Sequence, residues 1–204
     1  MLPSDYWRGA VAKYKTKDWA VKPSLFALDL SEILPRKGAL LELGSGAGND
    51  GLYFRSMGYD VLQADLEDFR SEQAKKIEFK VMDMSEPLRL KGAFDVVYAH
   101  LSLHYFSEKR TKELFKELHS LLNAGGVFAF LVNSVYDPEF RTGKKLEDHF
   151  FEVNGINKRY FDKIEVQKFT KDLFEPLLAD ECGTSYKDKA DGMTQLVRFA
   201  GTKK

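Results

Sequence analysis

The segment from Leu40 to Asp50 constrains the fold of this chain more than any other part. It reads Leu-Leu-Glu-Leu-Gly-Ser-Gly-Ala-Gly-Asn-Asp, so an apolar run is followed by three glycines at alternate positions. A helix-like stretch comes next, and Asp65 closes the following apolar run. A strand, a tight glycine turn, a helix and a second strand ending in a carboxylate form a unit that holds nucleoside-containing ligands at the ends of parallel strands.

Composition excludes several classes of protein. The 204 residues suit one domain, and Lys plus Arg balance Asp plus Glu at 31 each. This balance lacks the basic excess of nucleic-acid binders, so no nucleic-acid partner is expected. One cysteine, Cys182, allows no intrachain disulfide, and four scattered histidines give no metal-site spacing. The chain begins without a signal-peptide core and has no apolar run of membrane-spanning length, which predicts a cytoplasmic protein with no membrane partner.

The apolar pattern alternates between strands and helices. Predicted strands cover 39–43, 60–64, 77–82, 94–99 and 127–132, and predicted helices cover 22–34, 49–57, 67–76 and 107–122. Such alternation indicates an α/β fold with a parallel sheet, because parallel strands need crossover connections. The strand runs are continuously apolar, as expected when both faces of a sheet are covered.

The alternation of predicted strands and helices stops after Asn133. Residues 134–168 are rich in charged and aromatic side chains, and Asn154-Gly155 lies between two apolar segments, which predicts a hairpin. A helix is predicted at 170–179 with Thr170 as its N-cap, and 181–187 and 194–200 could pair as antiparallel strands. We divide this single domain into an N-terminal helical lid region (1–37), a ligand-binding core (38–133), an insertion (134–168) and a last helix with a hairpin (169–204).

The position of the third glycine decides between ligand classes. A dinucleotide-binding turn would have glycine at position 49, whereas this chain has Asn49 preceded by Gly48. With Glu42 in front, the turn resembles the first motif of the seven-strand class I S-adenosylmethionine-dependent methyltransferases. Segments similar to three later motifs of that family follow in the same order, at 81–84, 94–106 and 121–126, where Ala124 replaces the usual proline. The resemblance covers 38–133 well and 169–201 loosely.

This resemblance implies a doubly wound, mostly parallel seven-stranded sheet with helices on both faces and an antiparallel C-terminal hairpin. It also implies that S-adenosylmethionine is the cofactor. Carried over by motif, the glycine turn would line the methionine part of this donor, Glu42 would order water or the amino group, and Asp65 would bind ribose. Adenine contacts and the closing of the pocket would come from the remaining motif residues. The full predicted donor set is Glu42, Gly44, Ser45, Gly46, Gly48, Asp65, Leu66, Asp83, Met84, Ala99 and His100.

The sequence says less about the residues that would bind the methyl acceptor, which we call the acceptor side. His104 and Tyr105 follow the fourth strand, where the methyl group of the donor should point, and are the candidate catalytic residues. His104 could act as a base or orienting group, or it could simply be satisfied within its turn. Three N-terminal aromatics could form a lid or pack on the sheet, and the insertion could be a substrate cap or a dimerisation hairpin. The candidate lid and substrate residues are Tyr6, Trp7, Tyr14, Tyr136, Arg141 and Tyr160.

The sequence therefore favours a methyltransferase that moves a methyl group to a small-molecule acceptor by in-line displacement. Within the family it looks like the small bacterial type that includes tellurite- and thiopurine-methylating enzymes. Ala99-His100-Leu101-Ser102 stands where a DNA amino-methyltransferase would carry its D/N-P-P-Y/F tetrapeptide. The alternatives are a non-catalytic S-adenosylmethionine-binding module or regulator and, less favoured, an NAD-type oxidoreductase. We expect a monomer or a homodimer.

Overall fold

The computed structural model describes residues 8–9, 21–184 and 194–204. The elements listed below in this part of the chain are ten strands and four helices. The strands are β1 (Ala39–Leu43), β2 (Asp60–Asp65), β3 (Glu78–Val81), β4 (Phe94–His100), β5 (Leu122–Val132), β6 (Lys144–Glu147), β7 (Phe150–Val153), β8 (Ile156–Arg159), β9 (Phe174–Thr184) and β10 (Thr194–Lys203). The helices are α1 (Leu25–Asp29), α2 (Asn49–Ser56), α3 (Glu108–Leu121) and α4 (Lys163–Thr170). None of the described helices has the length and apolarity needed to cross a membrane.

Seven strands form one sheet in the order β3-β2-β1-β4-β5-β10-β9. The first five pair in parallel, and β10 runs antiparallel to both β5 and β9. This order confirms the predicted mostly parallel sheet with an antiparallel C-terminal hairpin. Parallel strands bring their carboxyl ends to one edge of the sheet, where open α/β folds bind ligands.

Alternate side chains of each strand point to opposite faces of the sheet. Both faces are covered by other elements. Val97 and Ala99 of β4 belong to a core cluster that includes Phe115 of α3 and Phe169 of α4. Their neighbours Val96 and Tyr98 belong to a second cluster with residues of α1 and α2. The prediction of helices on both faces is therefore confirmed.

The insertion carries a small sheet of its own, in the order β6-β7-β8. Asn154 and Gly155 both have left-handed backbone angles, φ 53° and 78°, as a two-residue hairpin turn requires. The predicted hairpin is confirmed, although its second strand begins directly at Ile156.

Two predicted helices are wrong. Thr170 ends α4 instead of capping a later helix, the true N-cap is Asp162, and 174–184 is strand β9. The last helix therefore lies mainly in the insertion (134–168) rather than in 169–204. The segment 67–76 contains only a short 3-10 turn, Ala74–Lys76. There the Arg70 guanidinium donates to the carbonyls of Ala74 and Ile77, at 3.0 and 2.8 Å, and holds the chain in a loop.

Candidate active site

The glycine turn after β1 has three left-handed residues, and they serve different purposes. Gly44, Gly46 and Gly48 have φ angles of 70°, 49° and 81°. A Cβ on Gly44 would lie 2.3 Å from the Cβ of Ser102, and one on Gly48 would lie 2.5 Å from the Cβ of Ala74. A Cβ on Gly46 would meet no atom within 4 Å. The outer glycines therefore allow close packing, and the middle one faces open space.

Ser45 lies between these glycines with its side chain buried. Its hydroxyl oxygen has no hydrogen-bond partner among the described residues. The backbone N–H groups of Gly44 and Ser45 both donate to the Ala64 carbonyl, at 2.8 and 3.2 Å, which fixes the turn against β2. A buried hydroxyl left unpaired costs about 1–3 kcal/mol, so the turn is suited to a polar ligand.

Three acidic side chains surround the turn. Glu42 is buried and accepts a hydrogen bond from Gln63 Nε2 at 2.6 Å, and Asp50 is buried and accepts one from Tyr98 Oη at 2.6 Å. Burial raises the pKa of both carboxyls, and the charge of Asp50 raises the pKa of Glu42 further. Burial also raises the pKa of Asp65. None of the three forms a salt bridge with a described lysine or arginine, so the turn favours a cation.

Asp65 ends β2 beside the turn, at the same sheet edge as the glycines. Its carboxylate accepts hydrogen bonds from the N–H groups of Gly46, at 2.8 Å, and Leu66, at 2.7 Å. The side chain predicted to bind ribose thus also ties the end of β2 to the middle glycine. Leu66 beside it is half-buried.

The remaining predicted donor residues occupy different environments at this edge. Asp83 is exposed, and its side chain accepts a hydrogen bond from Ser85 N at 2.8 Å, forming a local turn. Met84 packs against the core, and its carbonyl accepts from Arg110 Nε at 2.8 Å. Ala99 is wholly buried in the core. His100 ends β4, and burial lowers its pKa, an effect that Asp50 partly opposes.

His104 lies in the turn after β4 and is almost completely buried. Burial, with smaller contributions from the charges of Lys158 and His100, lowers the pKa of His104 to about 3. Its imidazole is therefore neutral at physiological pH. Its ring centroid lies 4.2 Å from that of Tyr105.

The predicted residues of the insertion separate into surface and interior positions. Tyr136 is half exposed, and its hydroxyl lies 3.4 Å from Glu181 Oε2. Arg141 is exposed and stacks over Phe140, with its guanidinium carbon 4.8 Å from the ring centroid. Tyr160, in contrast, is fully buried. The predicted lid residues Tyr6, Trp7 and Tyr14 lie outside the described residues.

Sequence reasoning gave no role to Arg159, which holds the insertion against the site. Its guanidinium is fully buried and contacts Glu165 Oε1 at 2.8 Å and Glu147 Oε2 at 2.5 Å. Its backbone N–H donates to the His104 carbonyl at 2.6 Å. No periodicity marks such a residue, because its partners are distant in sequence or lie in other elements.

Part of the chain is similar to a known protein family. Residues 40–126 match a family model described as a methyltransferase domain. Half of the chain also aligns with YqeM of Bacillus subtilis, which carries a provisional methyltransferase name, at 32% identity over 112 residues. That alignment spans 45% of YqeM, so the chain covers less than half of this relative's length.

Solved structures extend the likeness beyond residues 40–126. The 1,6-didemethyltoxoflavin-N1-methyltransferase of Burkholderia thailandensis, solved with its substrate and S-adenosylhomocysteine, superposes with a TM-score of 0.72 at 21% identity, covering 100% of this chain and 91% of that one. TehB of Haemophilus influenzae superposes with a TM-score of 0.65 at 20% identity, covering 87% and 61%. At these identities the likeness establishes the class I methyltransferase fold.

The glycine turn fits S-adenosylmethionine, the cofactor that the fold implies. That molecule carries a sulfonium and an ammonium cation, and the turn is surrounded by two buried acids, Glu42 and Asp50, and the half-buried Asp65, none with a described lysine or arginine partner. Open space beside Gly46 allows close approach, and the Ser45 hydroxyl offers an unused hydrogen bond. The pyrophosphate of NAD would bring negative charge to the same acids, so the structure disfavours the oxidoreductase alternative.

Proposed function

We propose that the protein is an S-adenosylmethionine-dependent methyltransferase that acts on a small molecule. The observation that supports this most strongly is the open glycine turn surrounded by Glu42, Asp50 and Asp65. Acids whose pKa is raised by burial and that have no described lysine or arginine partner favour a cationic ligand over a neutral or anionic one, because a nearby cation stabilises their charged form. S-adenosylmethionine is such a ligand, and its sulfonium supplies an already activated methyl group.

The residues of this chain then have to position the reactants and exclude water. The turn would hold the donor through the Ser45 hydroxyl and the space beside Gly46, and Asp65 would bind ribose. Holding two reactants in line lowers a barrier by up to about 7–11 kcal/mol in ideal cases. His104 and Tyr105 lie beyond the end of β4, on the acceptor side. Because its imidazole is neutral and weakly basic, we assign His104 to orienting the acceptor by hydrogen bonding.

The small-molecule acceptor is supported by two observations. The chain has no basic excess for a nucleic acid, and the Burkholderia thailandensis neighbour was solved with the small molecule 1,6-didemethyltoxoflavin. A cytoplasmic location and a monomeric or homodimeric state stay predictions from the sequence.

Calorimetry tests the donor site. We expect S-adenosylhomocysteine to bind with micromolar or tighter affinity and NAD not to bind. Glu42→Gln should weaken S-adenosylmethionine binding by about tenfold or more and S-adenosylhomocysteine binding by less, since only the former carries the sulfonium charge. Glu78→Gln, which changes an exposed acid on β3, is the matched control and should change neither affinity.

Absence of S-adenosylhomocysteine binding would contradict the proposal. If the donor binds, a methyl-transfer screen over thiols, phenols, amines and chalcogen oxyanions separates an enzyme from a non-catalytic binding module. Transfer to at least one acceptor class is the expected result.

A further inference from the structure

Two buried polar groups on the acceptor side have no hydrogen-bond partner among the described residues. They are Nδ1 of His104, whose residue is 2% exposed, and the hydroxyl of Tyr160, whose residue is 0% exposed. Buried polar groups are nearly always paired with protein or water, and an unpaired one calls for an explanation. A ligand that supplies the missing partners would explain both.

The backbone places these two residues side by side. The N–H of Arg159 donates to the carbonyl of His104 at 2.6 Å, and Tyr160 is the next residue. The following residue, Phe161, donates from its N–H to the carbonyl of Asn133 at 2.9 Å, just past the end of β5. Both residues therefore lie at the carboxyl edge of the parallel sheet, the edge that also holds the glycine turn.

The surroundings of the two groups are aromatic, and the acids whose charges act on Tyr160, Asp137 and Glu139, already have partners: Asp137 Oδ1 accepts from the N–H of Glu139 at 2.8 Å. The Tyr160 ring lies 5.3 Å from Phe140 and 6.3 Å from Phe151, measured between centroids. Lys158, whose charge acts on His104, is paired with Glu139 at 2.5 Å. Since this ion pair is already formed, the two unpaired groups match an uncharged ligand better than an ion.

We propose that Tyr160 and His104 hold the polar edge of the methyl acceptor, and that this acceptor is an uncharged planar ring compound with hydrogen-bonding atoms on its edge. The inference rests on the proposed function and specifies its substrate class. The Tyr160 hydroxyl and the neutral imidazole of His104 each offer one hydrogen bond, and the neighbouring rings offer apolar contact. Both residues act by binding the acceptor.

The test uses the full-length protein saturated with S-adenosylhomocysteine and two probes measured by calorimetry. Lumazine is an uncharged fused ring with donors and acceptors on its edge, and 2-naphthoate is a charged ring of similar size. We expect lumazine to bind and 2-naphthoate to bind at least tenfold more weakly. Tyr160→Phe keeps the ring and removes the hydroxyl, and it should weaken lumazine binding by about tenfold, the loss of one hydrogen bond.

Two further measurements separate this role from a structural one. Tyr160→Phe should leave the affinity for S-adenosylhomocysteine unchanged and should not lower the melting temperature, because it removes an unpaired buried hydroxyl. Tyr59→Phe is the matched control, since its hydroxyl donates to the Pro35 carbonyl far from this edge, and it should leave lumazine binding unchanged. His104→Leu should weaken lumazine binding as Tyr160→Phe does.

Lumazine binding that is equal in wild type and Tyr160→Phe would overturn the inference, as would no lumazine binding or tighter binding of 2-naphthoate. These results would leave the proposed function intact as long as S-adenosylhomocysteine binds. If S-adenosylhomocysteine does not bind, the proposed function fails and this inference fails with it.

Discussion

At the scale of single residues, Gly46 combines two reasons for a glycine in the turn, a left-handed backbone and open space for a ligand. Its φ of 49° disfavours any side chain, and the position where a Cβ would stand is open. Gly46→Ala should therefore fold with a loss of about 1 kcal/mol in unfolding free energy. It should bind S-adenosylhomocysteine at least tenfold more weakly, because the methyl group occupies the space left for the donor. Urea unfolding and calorimetry measure the two effects.

Gly155 provides a control matched in backbone and in space. It has a φ of 78° at the tip of the hairpin, and an added Cβ there also meets no atom within 4 Å. Gly155→Ala should lose a similar amount of stability and keep full donor affinity. Equal donor affinity in both variants would mean that the donor does not approach Gly46.

His104 gives a residue-scale prediction about pH. Its pKa is about 3 in the folded protein and 6.5 as the ordinary value for histidine. Between these values the unfolded chain binds a proton that the folded chain does not, so this residue makes stability fall as pH falls below 6.5. The slope is at most about 1.4 kcal/mol per pH unit. Above pH 6.5 the imidazole of His104 is neutral in both the folded and the unfolded chain, so it no longer makes the unfolding free energy depend on pH.

The comparison of wild type with His104→Leu isolates this effect, because the raised carboxyl pKa values of Glu42, Asp50 and Asp65 act in both proteins. From pH 7 to pH 5, wild type should lose about 2 kcal/mol relative to the variant in urea unfolding. In an enzymatically active preparation, His104 should cause no inflection near pH 6.5 in the pH–rate profile. The profiles of wild type and His104→Leu should therefore have the same shape in this range. Parallel stability curves would show that His104 titrates normally.

At the scale of elements, Arg159 joins three pieces of structure that meet only in the folded protein. Its side chain links β8 to Glu165 of α4, to Glu147 of β6 and to the Phe106 carbonyl. Lysine cannot reproduce this planar, multiple donation. Arg159→Lys keeps the charge but loses some of these hydrogen bonds, so it should lower the unfolding free energy by about 2 kcal/mol.

The matched control for this variant is Lys145→Ala, which removes an ion pair with Asp148 whose side chains are both well exposed. Its cost should stay below about 1 kcal/mol, because exposed pairs contribute little. Urea unfolding of the two variants gives the comparison. A cost for Arg159→Lys no larger than the control would show that the insertion is held by its apolar contacts alone.

Elements also show where sequence-based prediction succeeds and fails. The helix from Glu108 to Leu121 was predictable because its capping residue, Ser107, and its apolar stripe are local signals. In the strand from Phe174 to Thr184, the sequence predicts a helix up to residue 179, because this part contains Glu, Leu and Ala, and a strand only from residue 181. The segment becomes a strand through pairing with β10, and its proline at position 176 is tolerated because β9 lies at the sheet edge.

At the scale of the whole molecule, the donor side and the acceptor side differ in how they are encoded. The donor turn is one continuous segment, so its glycines, Glu42 and the nearby Asp65 could be recognised from spacing. The acceptor side joins the turn at His104 to the segment at Tyr160 through the backbone of Arg159. Contacts between such distant segments leave no pattern in the sequence, and buried unpaired groups become visible only in the structure.

The position of β10 has a consequence for how the molecule is made. This strand lies between β5 and β9, both of which precede it in the chain, and it buries Val197 and Phe199. Until residues 194–203 leave the ribosome, the nascent protein would expose the edge of β5 and the apolar surface that β10 covers. Translation that stops before Thr194 would thus yield a polypeptide with the complete donor turn and an unclosed, aggregation-prone sheet.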